Sequence, residues 1–330
     1  MTHDPPSAAP PLHAALTGDG ALALSVDREL AAAVAPWLPT HLRLAARPRA
    51  TAPAARLVVR VAPRAAPAAA SPARRPDLVA GDLRLWRDGE RMRLGTASGA
   101  GWTGVVDLAR RHATLTAPAD AFPEPPRATL HPMLLLATAY LLGRLGRALV
   151  HGAALIAPDG RAWLLVGDTH AGKTTTCATL VDAGWHYCAD DHAILQPSAA
   201  GLVVEGWPRV FHLDAGWDAG TPAGGPRRDV DAFARWPGRW RLAAPLGGVL
   251  CPRVDADAAT TLAPLDAPAR LAAIVRQSPW LAADPTAAPA LLALLQRAAA
   301  RPGAALRLGP DTFRRPAPLA AVLAPLVACA

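Results

Sequence analysis

Arg161-Ala162-Trp163-Leu164-Leu165-Val166-Gly167-Asp168-Thr169-His170-Ala171-Gly172-Lys173-Thr174 runs from an apolar stretch directly into a glycine-bounded loop. Residues Arg161–Val166 read as a short buried strand entered from the turn Pro158-Asp159-Gly160. Residues Gly167–Thr174 fit G-x-x-x-x-G-K-[ST], a loop whose backbone N–H groups cradle phosphate while the lysine reaches the β- and γ-phosphates of a nucleotide. Thr174–Ala183 then reads as a helix stopped by Gly184. Strand, loop and helix N-terminus in this order aim backbone donors and the positive helix end at an anion.

Composition singles out the same spot. Lys173 is the only lysine among 34 Lys and Arg residues, in a chain that has drifted towards Ala, Arg, Pro and Gly. A guanidinium is a wide planar fork and does not replace a compact ammonium in such a pocket. The 330 residues, 52% hydrophobic and 18% charged, suit two domains or one large one. The net charge of +8 does not indicate a nucleic-acid partner, because the arginines are scattered and no basic, aromatic-interleaved stripe occurs. Cys177, Cys188, Cys251 and Cys329 lack metal-ligand spacing and read as free thiols. Met1-Thr2-His3-Asp4 has no positive n-region, and the apolar run Met133–Gly143 is too short to span a bilayer. A cytoplasmic protein without membrane contact is expected.

Four segments follow from the pattern. Residues 1–20 open on a Pro- and Ala-rich tract and are expected to be disordered. Residues 21–117 hold short strands (Ala21–Val26, Leu57–Val61, Leu83–Arg87, Arg91–Gly95, Trp102–Asp107 and His112–Thr116) and form an α+β accessory domain. Asp88-Gly89 marks a hairpin within it, and Ala62–Pro76 a mobile loop. Residues 118–130 read as a Pro-rich linker. In 131–330, a helix over His131–Arg147 precedes one strand over Leu149–Ile156, which Asp159-Gly160 folds back onto the loop strand. Strands near Trp185–Ala189, His192–Leu195, Leu202–Glu205 and Leu246–Cys251 follow, with helices at Ala267–Arg276 and Ala288–Ala300.

Phosphate binding alone is not a reaction. Asp190 and Asp191 end the apolar strand after the loop helix, and a parallel strand there would deliver them beside the loop. Adjacent strand residues point to opposite faces. One carboxylate can therefore serve Mg²⁺ together with Thr174, and the other can act as general base towards a hydroxyl.

Val150-His151-Gly152, the 167–174 loop, Gly184 and Ala189-Asp190-Asp191 together resemble the catalytic domain of the HPr kinase/phosphorylase family and its divergent HPr-kinase-like relatives. The resemblance covers about Leu149–Leu195 well and the rest of the C-terminal half faintly. It implies an α/β P-loop kinase domain, of the type shared with phosphoenolpyruvate carboxykinase, preceded by a smaller α+β domain. It further implies ATP- and Mg²⁺-dependent phosphorylation of a serine hydroxyl on a protein or peptide, by a chain that forms a homo-oligomer. By motif position Asp191 is the proton acceptor, Asp190 a metal-side carboxylate, Thr174 a Mg²⁺ ligand, Lys173 the phosphate clamp and His151 a supporting residue. Gly167, Asp168, Thr169, His170, Ala171, Gly172, Lys173, Thr174 and Thr175 would hold the nucleotide.

The chain also departs from that pattern. Thr169-His170 stands where the family has Ser-Gly, and Glu205-Gly206-Trp207-Pro208-Arg209 stands where it has E-x-R-G. Glu205 is the third metal candidate on this basis, with Arg209 beside it. A second reading is therefore a catalytically impaired nucleotide-binding module that regulates a partner. A carboxykinase would need further metal ligands and an oxaloacetate-binding arginine, and no such set is recognisable.

Overall fold

The structure, a computed structural model, describes residues 12–34, 52–61, 74–97, 101–117, 127–199, 201–207, 211–214, 227–314 and 316–328. The expected disorder of residues 1–11, most of the mobile loop (62–73), the linker residues 118–126 and Arg209 lie outside them. The chain divides into two compact units, Met1–Leu145 with Trp280–Ala287, and Gly146–Pro279 with Ala288–Ala330. Both carry mixed β-sheets with helices. Among the described residues, no helix is long and apolar enough to cross a membrane.

The first unit contains β1 (Leu12–Ala15), β2 (Leu22–Val26), α1 (Arg28–Val34), β3 (Ala55–Val61), β4 (Leu78–Ala80) and β5 (Leu83–Asp88). It continues through β6 (Arg91–Thr96), β7 (Thr103–Asp107), β8 (His112–Ala117) and α2 (Arg127–Arg144). The strands make one sheet in the order β1-β2-β3-β8-β7-β6-β5-β4. β3 pairs in parallel with both β2 and β8, and the other pairs are antiparallel. Alternation decides the buried face: Leu22, Leu24 and Val26 of β2 and Ala113, Leu115 and Ala117 of β8 are buried, with partly exposed residues between them. On α2, Leu130, Met133, Ala137, Tyr140 and Leu141 recur at helical spacing and are all buried.

Two segment expectations change here. Leu12–Ala15 is a strand paired antiparallel with β2, because Thr17-Gly18-Asp19-Gly20 turns the chain between two apolar-alternating runs. Residues 127–130 are already helical, and α2 groups with the first unit.

The second unit opens with β9 (Ala148–His151), β10 (Ala153–Ile156), β11 (Ala162–Leu165), α3 (Lys173–Asp182), β12 (His186–Ala189), β13 (His192–Ser198) and β14 (Gly201–Trp207). β15 (Phe211–Asp214), β16 (Arg227–Val230), α4 (Ala232–Arg235), β17 (Ala243–Val254), β18 (Thr261–Pro264) and α5 (Ala267–Arg276) follow. α6 (Ala288–Ala299), β19 (Gly303–Leu308), α7 (Pro310–Arg314) and α8 (Pro316–Ala328) complete it. The main sheet has the order β12-β10-β11-β17-β14-β13-β9, with β19 joined to β17 and β18. β17 pairs in parallel with β11 and β19. Leu155, Trp163, Leu180, Tyr187, Leu250 and Leu306 belong to a continuous buried cluster beneath α3. The stretch Leu149–Ile156, expected as one strand, is two: β9 pairs with β13, whereas β10 pairs with β11 and β12.

Arg144, the last residue of α2, ties the segment Trp280–Ala287 to the rest of the first unit. Its Nε and Nη2 donate to the Asp284 carboxylate at 2.7 and 3.0 Å, and its Nη1 lies 2.7 Å from Glu90 Oε2. The hydrogen bond to Asp284 is the main reason the guanidinium pKa is raised. Asp284 is only 3% exposed, so removing its cation strands a buried charge. Arg144→Met should cost about 3–5 kcal/mol in urea unfolding. The double variant Arg144→Met/Asp284→Leu should recover most of that loss. Equal losses in the single and double variants would show that this pair does not anchor the segment.

Candidate functional site

The loop between β11 and α3 is held at both ends. Val166 N–H donates to Leu250 O at 2.9 Å, continuing the β11–β17 ladder. Gly172 caps α3 with φ of 91°, and a Cβ there would lie 2.6 Å from Leu308 Cδ1. The positive φ favours glycine, and any side chain there would also have to displace the Leu308 methyl. At the far end of α3, Gly184 N–H bonds Val181 O and Trp185 N–H bonds Leu180 O, both at 3.0 Å, which closes the helix in a Schellman motif.

Lys173, the first residue of α3, is 8% exposed. Its Nζ donates to Gly167 O at 2.7 Å and Asp168 O at 3.0 Å, so the ammonium is wrapped by its own loop. Burial lowers its pKa, and Asp191, Asp190 and Asp168 oppose that shift in decreasing order. Three carboxylates therefore act on one buried cation. Asp168, Thr169 and His170 are exposed, and Thr174 and Thr175 are half-buried. His170 has φ of 67°, a left-handed backbone that glycine adopts more readily. Gln277 Nε2 donates to Asp168 Oδ1 at 3.2 Å.

The route by which Asp190 and Asp191 approach the loop differs from the expected one. β12 does not lie next to β11, because β10 lies between them and is antiparallel to both. Two antiparallel steps restore the direction, so β11 and β12 run the same way. The register sets Ala153 opposite Leu165 and Ala154 opposite Ala189. The C-terminal ends of β11 and β12 thus flank the start of β10, which His151-Gly152 enters. Gly152 N–H donates to Asp191 O at 3.0 Å, and His151 N–H to Gln277 O at 2.8 Å.

Around Asp191 two imidazoles converge. His151 Nδ1 is 3.3 Å from Asp191 Oδ1, and His192 Nδ1 is 3.2 Å from Asp191 Oδ2. The two rings meet edge to face with centroids 5.2 Å apart. Burial pushes the His151 pKa down to about 4 despite the attraction of Asp191, so this ring is neutral at pH 7. Asp190 is buried and Asp191 half-exposed.

A cavity of about 670 Å³ opens against the loop. Gly167–Ala171 form one wall, and Arg253, Arg276, Gln277 and Arg307 contribute polar groups to the rest. Its size is that of a small-molecule site.

The sequence-derived candidates divide accordingly. Lys173, Asp168, Asp190, Asp191 and His151 come together in one electrostatic neighbourhood. Glu205 lies within β14, buried, where Gln196 Nε2 donates to its Oε2 at 3.1 Å. His192 and Gln277 were not among the candidates, nor were the three arginines of the cavity. His192 is adjacent to Asp191 in sequence, but its meeting with His151 depends on the β9–β13 register. Gln277 sits at the C-cap of α5, far along the chain, and nothing local marks it.

No protein-family model matches the chain, and no curated protein matches it. Among solved structures, the chain is similar to the Hpr(Ser) kinase/phosphatase from Coxiella burnetii. The identity is 14%, the match covers 33% of this chain and 66% of that one, and the TM-score is 0.26. A likeness of that extent assigns neither fold nor activity.

Proposed function

We propose that this chain is an ATP- and Mg²⁺-dependent kinase with a P-loop kinase domain, and that it phosphorylates a serine hydroxyl on a protein or peptide. The observation that carries the reading is the buried Lys173 ammonium inside a G-x-x-x-x-G-K-T loop, under the influence of Asp168, Asp190 and Asp191. In this reading the β- and γ-phosphates take the place of the Gly167 and Asp168 carbonyls at Lys173 Nζ. Backbone N–H groups at the start of α3 share the phosphate charge. Asp191 accepts the proton of the acceptor hydroxyl as its oxygen attacks phosphorus in line with the departing ADP oxygen. His151, neutral and within 3.3 Å, orients that carboxylate.

Mg²⁺ suits the hard oxygen donors available, the Thr174 hydroxyl at the start of α3 and the buried Asp190 carboxylate. Bound there, it would neutralise charge on the transferring phosphoryl group. Glu205 is the weaker third donor, since Gln196 already engages it. The rest of the nucleotide would dock in the arginine-lined cavity, whose contact with residues 167–171 supports this reading. The first unit would recognise the acceptor, in a cytoplasmic and homo-oligomeric protein with no nucleic-acid or membrane partner.

Two features favour the second reading, a nucleotide-binding module that regulates a partner without turnover. His170 occupies a glycine-like backbone position, and a histidine nitrogen approaches each Asp191 oxygen. Labelled ATP, Mg²⁺ and candidate peptides distinguish the two. Under the kinase reading, Lys173→Ala loses both nucleotide affinity and transfer. Asp191→Asn retains calorimetric ATP affinity within about threefold and loses about 10²- to 10⁴-fold in transfer rate. ATP binding by wild type without transfer to any acceptor, together with unchanged biological function of Asp191→Asn, would select the module.

A further inference from the structure

We propose that His151, Asp191 and His192 form a site for a divalent transition metal of the zinc type, separate in chemistry from the oxygen donors that suit Mg²⁺. Strand pairing creates it. His192 opens β13 and stands opposite His151 at the end of β9, so both side chains leave the sheet on the same face. Asp191 precedes His192 and brings its carboxylate between the two rings. The ligand atoms of all three residues lie within 4.8 Å of one another.

The separations match a metal-sized gap. Zinc bonds of about 2.0–2.1 Å in tetrahedral geometry place neighbouring ligand atoms roughly 3.3 Å apart. The two His–Asp separations are 3.3 Å to Oδ1 and 3.2 Å to Oδ2, one ring to each carboxylate oxygen, so a shared ion needs the carboxylate to chelate through both oxygens or to turn one of them towards both rings. Two backbone hydrogen bonds hold the set in place, His151 N–H to Gln277 O at 2.8 Å and Gly152 N–H to Asp191 O at 3.0 Å. His192 is only 4% exposed, whereas His151 and Asp191 are half-exposed, so the site is backed by protein and open on one side. Two imidazole nitrogens and one carboxylate select zinc, cobalt or nickel over magnesium, which prefers oxygen and retains its waters. Bound metal would occupy Asp191, the proposed proton acceptor. That consequence rests on the kinase reading, whereas metal binding does not.

The test is calorimetric titration of tag-free protein with ZnCl₂. Wild type should take up one zinc per chain, with an isotherm that excess Mg²⁺ leaves unchanged. His151→Ala and His192→Ala should each weaken binding at least about tenfold. His186→Ala, which removes the histidine that opens β12, should not. Circular dichroism establishes that each variant folds, and His192→Gln replaces the alanine variant where the buried site needs the volume. Lys173→Ala should lose nucleotide affinity without losing zinc, which separates failure of this site from failure of the kinase reading. The proposal is overturned if wild type binds no stoichiometric zinc, if both histidine variants bind it as tightly as wild type, or if Mg²⁺ displaces it.

Discussion

A Cβ on Gly152 would lie 2.7 Å from the backbone oxygen of Leu165, closer than any side chain can approach. This contact with the end of β11 is the constraint on which the second unit's site depends. At Gly152 the chain leaves the β9–β13 ladder and enters the gap between β11 and β12 as β10. The crossover places His151 at the mouth of the loop and fixes Asp191 through the Gly152 N–H. One glycine therefore links a phosphate-type loop, a carboxylate pair and two histidines that come from four separate strands.

Electrostatics reinforce that arrangement. A buried ammonium is costly unless its charge and donors are matched. Lys173 is matched in two ways, by the carbonyls of Gly167 and Asp168 and by three nearby carboxylates. The carbonyls occupy the donors that phosphate oxygens would take in the proposed complex. Phosphate binding in that complex would therefore exchange two loop hydrogen bonds of Lys173 for two to phosphate oxygens.

Much of this was legible in the residues because the signals are local. The loop, its lysine, the Asp159-Gly160 hairpin and the Gly184 stop each occupy a few consecutive positions, and all appear in the structure where they were expected. What depends on pairing partners was not legible. The apolar run Leu149–Ile156 looks the same as one strand or as two, because burial on both faces erases alternation. The insertion of β10 between β11 and β12, and the meeting of His151 with His192, are consequences of register. The Arg144–Asp284 pair joins residues 140 positions apart, a separation at which sequence carries no pairing signal.

A crystal structure with Mg²⁺ and a non-hydrolysable ATP analogue shows whether phosphate binds in the 167–174 loop. The β- and γ-phosphates should lie against the backbone of residues 167–174, with Lys173 Nζ shifted from the Gly167 and Asp168 carbonyls onto phosphate oxygens. Asp191 should face the γ-phosphate across a gap wide enough for a hydroxyl. Nucleotide bound elsewhere at full occupancy, with Lys173 still on its own loop carbonyls, would contradict it.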